Sequence, residues 1–247
     1  MPKPEIFIVG SVLSGTTLLR NILRQHSNLI CPEETHIFRW ETPFATEEYT
    51  DIYQNAETLK LHRKMDGVSE NKFNEILNTS CDRKSFMQNY VSAFKQVHNH
   101  STSRCFDKSP QNVYGMALIK AYFPNAKFIH IIRNPLNVAA SIKRGHPGLS
   151  GNILGSINYW KESVMIVNTL KKVWHDDIYE LKYEGLCKNP KNEIIKLIDF
   201  IEDQQENMDD AIGQIYQSVD TYQDVLDSSE INLLKIQLGE LMNKYGY

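Results

Sequence analysis

Cysteine is sparse and unpaired along this 247-residue chain: Cys31, Cys81, Cys105 and Cys187 are scattered with no C-x-x-C spacing. A disulfide framework and a thiolate zinc site are thereby excluded, no metal is expected, and a reducing compartment is favoured. Nor is there a run of about eighteen apolar residues that would cross a bilayer, and the N-terminus MPKPEIFIVG turns into a strand within a few residues. A cytoplasmic protein without a membrane partner is expected. A dominant charge is missing too, because 27 basic and 30 acidic residues leave a net charge of −3. That offers no general attraction to nucleic acid, so any anion site must be local. Repeats, low-complexity tracts and domain-sized linkers are absent as well. A chain of this length buries a core without staples, and one domain spanning 1–247 is expected.

The last absence is a lysine. Ile6 to Ile22, IFIVGSVLSGTTLLRNI, runs an apolar strand into a glycine-bracketed loop and then into an amphipathic helix. Gly10, Gly15 and Thr17 stand where G-x-x-x-x-G-K-[ST] would have its two glycines and hydroxyl, but Thr16 stands where the lysine would be. Backbone N–H groups and a helix N-terminus still suit a phosphate. Without the lysine that reaches β- and γ-phosphates, ATP or GTP hydrolysis is disfavoured.

Downstream, periodicity predicts a helical stretch over about Thr46 to Asn99 with scattered aromatics, then a strand near Arg104 to Phe106 and a helix over Asn112 to Tyr122. The run Lys127 to Ile132 is β-branched enough for a buried parallel strand, and Pro135 suits the first turn of the helix after it. A glycine- and proline-rich loop is read at His146 to Gly151. A helix follows at Leu154 to Val173, then a strand at Ile178 to Tyr183, and helices at Asn192 to Phe200, Met208 to Val219 and Ser229 to Lys244. This alternation implies an α/β fold of P-loop type, a mostly parallel sheet covered by helices on both faces, with an inserted helical cap. Arg133, ending the strand, and Ser141, two helical turns on, make a clamp for a second, separate phosphate at the sheet's carboxyl edge, where open α/β sheets bind ligands.

With these residues the chain resembles the sulfotransferases that use 3′-phosphoadenosine 5′-phosphosulfate (PAPS), particularly the tyrosylprotein sulfotransferase branch. The resemblance runs over nearly the whole chain. Pro32-Glu33-Glu34-Thr35-His36 is similar to that branch's G-E-E-T-R segment, Asp107-Lys108-Ser109-Pro110 to its segment with a catalytic lysine, and Tyr183-Glu184-Gly185-Leu186 with Asn189-Pro190 to a late Y-E-D-L…N-P signature. The order and spacing of all five segments agree. The resemblance implies PAPS as co-substrate, released as PAP, with no metal. It implies that Ser14, Gly15, Thr16, Thr17 and Leu18 hold the 5′-phosphosulfate, and Arg133 and Ser141 the 3′-phosphate, while Tyr183 and Tyr222 lie by the nucleotide. It also implies that Glu34 is the general base, that Lys108 stabilises the leaving oxygen, and that His36 is a second base or acceptor contact. A carboxylate partly desolvated beside the cofactor is expected to have a raised pKa.

The expected reaction is sulfuryl transfer to a hydroxyl or nitrogen of a small acceptor, of the kind that tailors natural products. The 46–99 insertion would form part of the acceptor pocket, and a homodimer is one assembly open to the chain. Leu13 breaks the pattern, since relatives place arginine or lysine there; Lys108 is the first candidate to compensate, with Arg20, Lys143 and Arg144 behind it. Val12 replaces the usual proline. Two other readings stay open, a P-loop phosphotransferase or kinase, disfavoured by Thr16, and a catalytically weak nucleotide-binding relative, motivated by Leu13. Trp160 is expected in the core.

Overall fold

The computed structural model describes residues 3–39, 41–145, 152–213, 215 and 222–247, with the side chain of residue 156 left aside. The loop read at His146 to Gly151 and most of the end of the helix read at Met208 to Val219 lie outside the described residues. Strand β1 (Ile6–Gly10) is buried along its whole length, and helix α1 (Thr16–Leu23) starts where the glycine-bracketed loop ends. A two-residue strand β2 (Leu29–Ile30) follows, inside a stretch whose only sequence signal is irregularity.

The insertion is helical throughout, as α2 (Glu47–Asn55), α3 (Glu57–Met65), α4 (Glu70–Thr79) and α5 (Arg83–Val97). Three of these helices begin at a side-chain cap: Thr46 accepts from the amide of Tyr49, Ser69 from that of Lys72, and Asp82 forms a capping box with Ser85. Then come β3 (Arg104–Lys108), a 3-10 turn over Pro110–Gly115, α6 (Met116–Tyr122) and β4 (Lys127–Ile132). Pro135 opens α7 (Pro135–Gly145), followed by α8 (Ile153–Leu170), β5 (Ile178–Lys182), α9 (Tyr183–Lys188), α10 (Pro190–Phe200), α11 (Asp209–Ile212) and α12 (Ser228–Tyr245). The last helix starts at a capping box of Asp227 with Glu230 and stops at Gly246, whose φ of 68° is the left-handed conformation glycine adopts cheaply.

The five strands form one parallel sheet in the order β2-β3-β1-β4-β5. Successive side chains on a strand point to opposite faces, so the continuous burial of β1 and most of β4 means that both faces are covered. Contacts sort the chain into two compact units, one of residues up to Val9 with Leu19–Phe128, the other of Gly10–Leu18 with Ile129–Tyr247. In the first, Phe7 of β1 and Phe128 of β4 pack together with Phe38 and Phe123, while Tyr49, Tyr53, Phe73, Phe86 and Tyr90 fill the interior of the insertion. In the second, Val138, Ile142, Trp160, Leu234 and Leu238 are among the residues of one apolar cluster. Trp160 is core, as expected, at 1% exposure. Among the described residues no helix is long and apolar enough to cross a membrane.

Candidate functional site

Within the second unit, the loop between β1 and α1 is shaped by its glycines. At Gly10, with φ 152°, a methyl would come 2.8 Å from the carbonyl oxygen of Ile131; at Gly15, with φ 99°, it would come 2.4 Å from the ring of Tyr183. Neither position has room for a side chain. Ser14 is fully buried, and its hydroxyl has no protein partner. Thr16 is buried and Thr17 exposed, with Leu18 between the two in exposure. These residues bring the first-turn amides of α1, which a helix leaves without internal partners, to the end of the loop.

Arg133 stands beside this loop. Its Nη1 donates to the carbonyl of Leu13 at 3.2 Å and to Ser141 Oγ at 3.4 Å, and its guanidinium lies 4.7 Å from the ring centroid of Tyr183. Trp160 Nε1 donates to the Arg133 carbonyl at 2.9 Å, and Glu184 accepts the amide of Asn134 at 2.8 Å while taking the hydroxyl of Tyr247 at 2.9 Å. The turn after β4 is therefore held on several sides. Arg133, Ser141 and Tyr183, candidates from the sequence, lie together here, and Glu184, which the sequence offers only as part of the late signature, fixes this turn. Tyr222 packs against the apolar cluster of this unit. A buried hydroxyl without a protein partner, a glycine cradle and an arginine–serine pair fit a ligand carrying two separate anionic groups.

Leu13 adopts φ 61°, the left-handed region that an L-residue enters at a cost, and packs its side chain against the same cluster. The candidates to replace its missing charge are largely committed elsewhere: Arg20 to Glu33, Lys143 to Glu230 and Lys108 to Glu34.

In the first unit, Glu34, His36 and Lys108 come together. Lys108 is 1% exposed and pairs with Glu34 Oε1, so it is no surface lysine; His36 Nε2 lies 3.3 Å from Glu34 Oε2. Burial lowers the His36 pKa and keeps the ring neutral at neutral pH, so Nε2–H donates to Glu34 while the buried Nδ1 has no partner. The expected rise in the Glu34 pKa is not found. Burial alone would raise it, but the hydrogen bond from His36 and the charge and hydrogen bond of Lys108 bring it down to about 2.

The segment around Glu34 is anchored residue by residue. Glu33 is paired with Arg20 and Arg24, which hold its carboxyl below the usual range against the cost of burial, and its amide donates to Asp66 at 2.7 Å. The Glu34 carbonyl meets His62 Nδ1 at 3.0 Å, Thr35 donates to Asp107 and accepts at its carbonyl from Tyr53, and the His36 amide donates to Ser109 at 3.0 Å. Asp66 in turn accepts from Tyr90 at 2.6 Å. The pair of glutamates is thus no solvated loop. One cavity of this unit that Glu34 lines, with Tyr53, His62 and Phe73 among its walls, measures about 20 Å3, room for one water. The insertion's aromatic side chains pack on one another and anchor this segment, and Tyr53, Phe73, Phe86 and Tyr90 also line this cavity beside Glu34.

Residues 4–206 match the sulfotransferase family. An uncharacterized protein of Aquifex aeolicus is 30% identical over 207 residues, 81% of this chain and 26% of that one. Protein-tyrosine sulfotransferase A of Caenorhabditis elegans is 23% identical over 211 residues, 81% of this chain and 50% of that one. The chain therefore spans only 26% and 50% of the length of these two curated relatives. Among solved structures, the sulfotransferase domain from the curacin biosynthetic pathway superposes with a TM-score of 0.60 at 25% identity, over 88% of this chain and 79% of that domain. The chain belongs to the sulfotransferase family, whose donor is PAPS.

Proposed function

We propose that this chain, as a single sulfotransferase domain, moves the sulfuryl group of PAPS to a hydroxyl or nitrogen of a small acceptor by in-line displacement and releases PAP. The observation that carries the reading is Arg133, bonded at once to Ser141 and to the phosphate loop's own Leu13 carbonyl. A triphosphate site would spend its cation along one phosphate chain. Here the cation stands beside a lysine-free loop and carries a hydroxyl partner, as a ligand phosphorylated at two separate places requires. Ser14 to Leu18 would hold the 5′-phosphosulfate through first-turn amides and hydroxyls, Arg133 and Ser141 the 3′-phosphate, and Tyr183 and Tyr222 the nucleoside. When bound, the donor supplies the electrophilic sulfur and a leaving phosphate.

The protein's part is position, charge and one proton. Lys108 would face the charge building on the leaving oxygen, and Glu34 would accept the acceptor's proton. Glu34 is a weak base while Lys108 holds it, so it gains basicity as the ammonium is drawn to that new charge. His36, neutral, keeps Glu34 Oε2 oriented. Calorimetry with PAP against ATP plus magnesium tests the reading, followed by transfer of labelled sulfate over an acceptor panel. Binding of ATP without PAP would remove it. A second reading, a nucleotide-binding relative with little transfer activity, is favoured by one specific observation: Leu13 carries no charge, and Lys108, Arg20 and Lys143 are each paired with a carboxylate.

A further inference from the structure

We propose that Asp107 is a positioning residue for the Glu34–Lys108 pair, acting through the hydroxyl of Thr35. The assignment rests on the sulfotransferase reading of that pair. Residues 31–36 belong to no helix or strand, so their geometry is set by what they are bonded to. Lys108, by contrast, ends a strand: Asp107 is in register with Phe7 and Lys108 with Ile8, at the middle of the sheet.

The two segments are joined by rungs on either side of the ion pair. Thr35, next to Glu34, donates its hydroxyl to Asp107, next to Lys108; His36 donates its amide to Ser109 Oγ at 3.0 Å. The direction of the first rung is fixed by Asp107, which as a carboxylate at neutral pH only accepts, so the single proton of Thr35 Oγ1 goes to it while that oxygen also accepts the amide of Ile37 at 3.5 Å. The other carboxylate oxygen of Asp107 takes Asn112 Nδ2 at 2.9 Å, so the carboxylate itself does not rotate. Asp107 is 1% exposed, and burial pushes its pKa up to about 6, a cost to the fold at neutral pH that its bonds to Thr35 and Ser109 only partly offset. A carboxylate kept there at that cost, with one oxygen given to the segment that carries Glu34, has a task beyond packing.

The test reads the pair directly. Each lysine of the full-length protein is labelled with acetic anhydride and its rate followed by mass spectrometry. Lys120 serves as internal control, being 9% exposed and bonded to the Pro124 carbonyl of the same unit. Thr35→Val should raise the Lys108 rate roughly tenfold relative to Lys120, the scale of one lost hydrogen bond, while Thr35→Ser, which keeps the hydroxyl, stays within about twofold of the unaltered protein. Asp107→Asn should act like Thr35→Val; if it does not fold, the two threonine variants still decide. An unchanged Lys108 rate in Thr35→Val overturns the proposal, and so does a parallel rise at Lys108 and Lys120, which is general loosening. Calorimetry of the unaltered protein with PAP is run beside it. Absence of PAP binding overturns the catalytic meaning of the pair, a failure distinct from an unchanged labelling rate.

Discussion

Glu34, half-buried, and Asp107, fully buried, are carboxylates near the same lysine, yet they bend stability with pH in opposite directions. The Glu34 pKa falls from 4.5 to about 2, so its contribution is present above pH 4.5 and is lost as pH falls through about 2. The Asp107 pKa rises from 3.8 to about 6, so its contribution is fully present below pH 3.8 and is lost as pH rises through about 6. Urea midpoints measured from pH 2 to pH 8 should therefore fall less steeply below pH 4.5 in Glu34→Gln than in the unaltered protein. In Asp107→Asn the decline between pH 4 and pH 6.5 should flatten. Equal slopes in all three proteins would remove both assignments. In the transfer assay Glu34→Gln should lose on the order of 100-fold or more in kcat, the range of a general base. The motifs single out Glu34, Lys108 and Arg133 as candidates from the sequence. The sign of the Glu34 shift was not legible there, because it depends on a lysine 74 residues away and a histidine two residues on reaching the same carboxylate. Nor was the posture of Leu13, whose side-chain type predicts neither its left-handed backbone nor the bond at its carbonyl.

At the scale of elements, strands with strong apolar runs and helices with clear caps were readable, and β4 matches its predicted bounds because six consecutive residues carry the signal. The two-residue β2 was not readable, since its strand character lies in its register, Leu29 with Arg104 and Ile30 with Cys105, and not in its composition. The insertion was readable as helices, but the anchoring bonds of its individual side chains were not. Tyr90 belongs to a helical face that packs on Phe73, while its hydroxyl reaches Asp66, which in turn holds the Glu33 amide. Tyr90→Phe leaves a buried carboxylate oxygen without its donor and should destabilise the protein by about 1–3 kcal/mol in urea unfolding. A change of less than about 0.5 kcal/mol, the range of a substitution that removes no buried bond, would mean that the hydroxyl of Tyr90 has no special place in the anchoring chain.

For the molecule as a whole, the residues proposed to hold the nucleotide all lie within one compact unit, Gly10–Leu18 with Ile129–Tyr247. A ligand that binds only the folded state stabilises it by RT ln(1 + [L]/Kd), about 2.7 kcal/mol at a hundredfold excess over Kd, which in a protein of this size is a shift in Tm of roughly 5–10 °C. PAP should produce that shift. Adenosine 5′-monophosphate, at the same concentration, should produce less, because it lacks the phosphate assigned to Arg133 and Ser141. Arg133→Ala should erase the difference between the two ligands without erasing the response to the monophosphate, since the loop amides are backbone groups that the substitution leaves in place. Hydrogen exchange adds the location: protection by PAP should concentrate in residues 10–18 and in the segments around Arg133, Ser141 and Tyr183. An equal response to PAP and adenosine 5′-monophosphate in the unaltered protein would mean that Arg133 serves only to brace the Leu13 carbonyl, and the case for a doubly phosphorylated donor would fall with it.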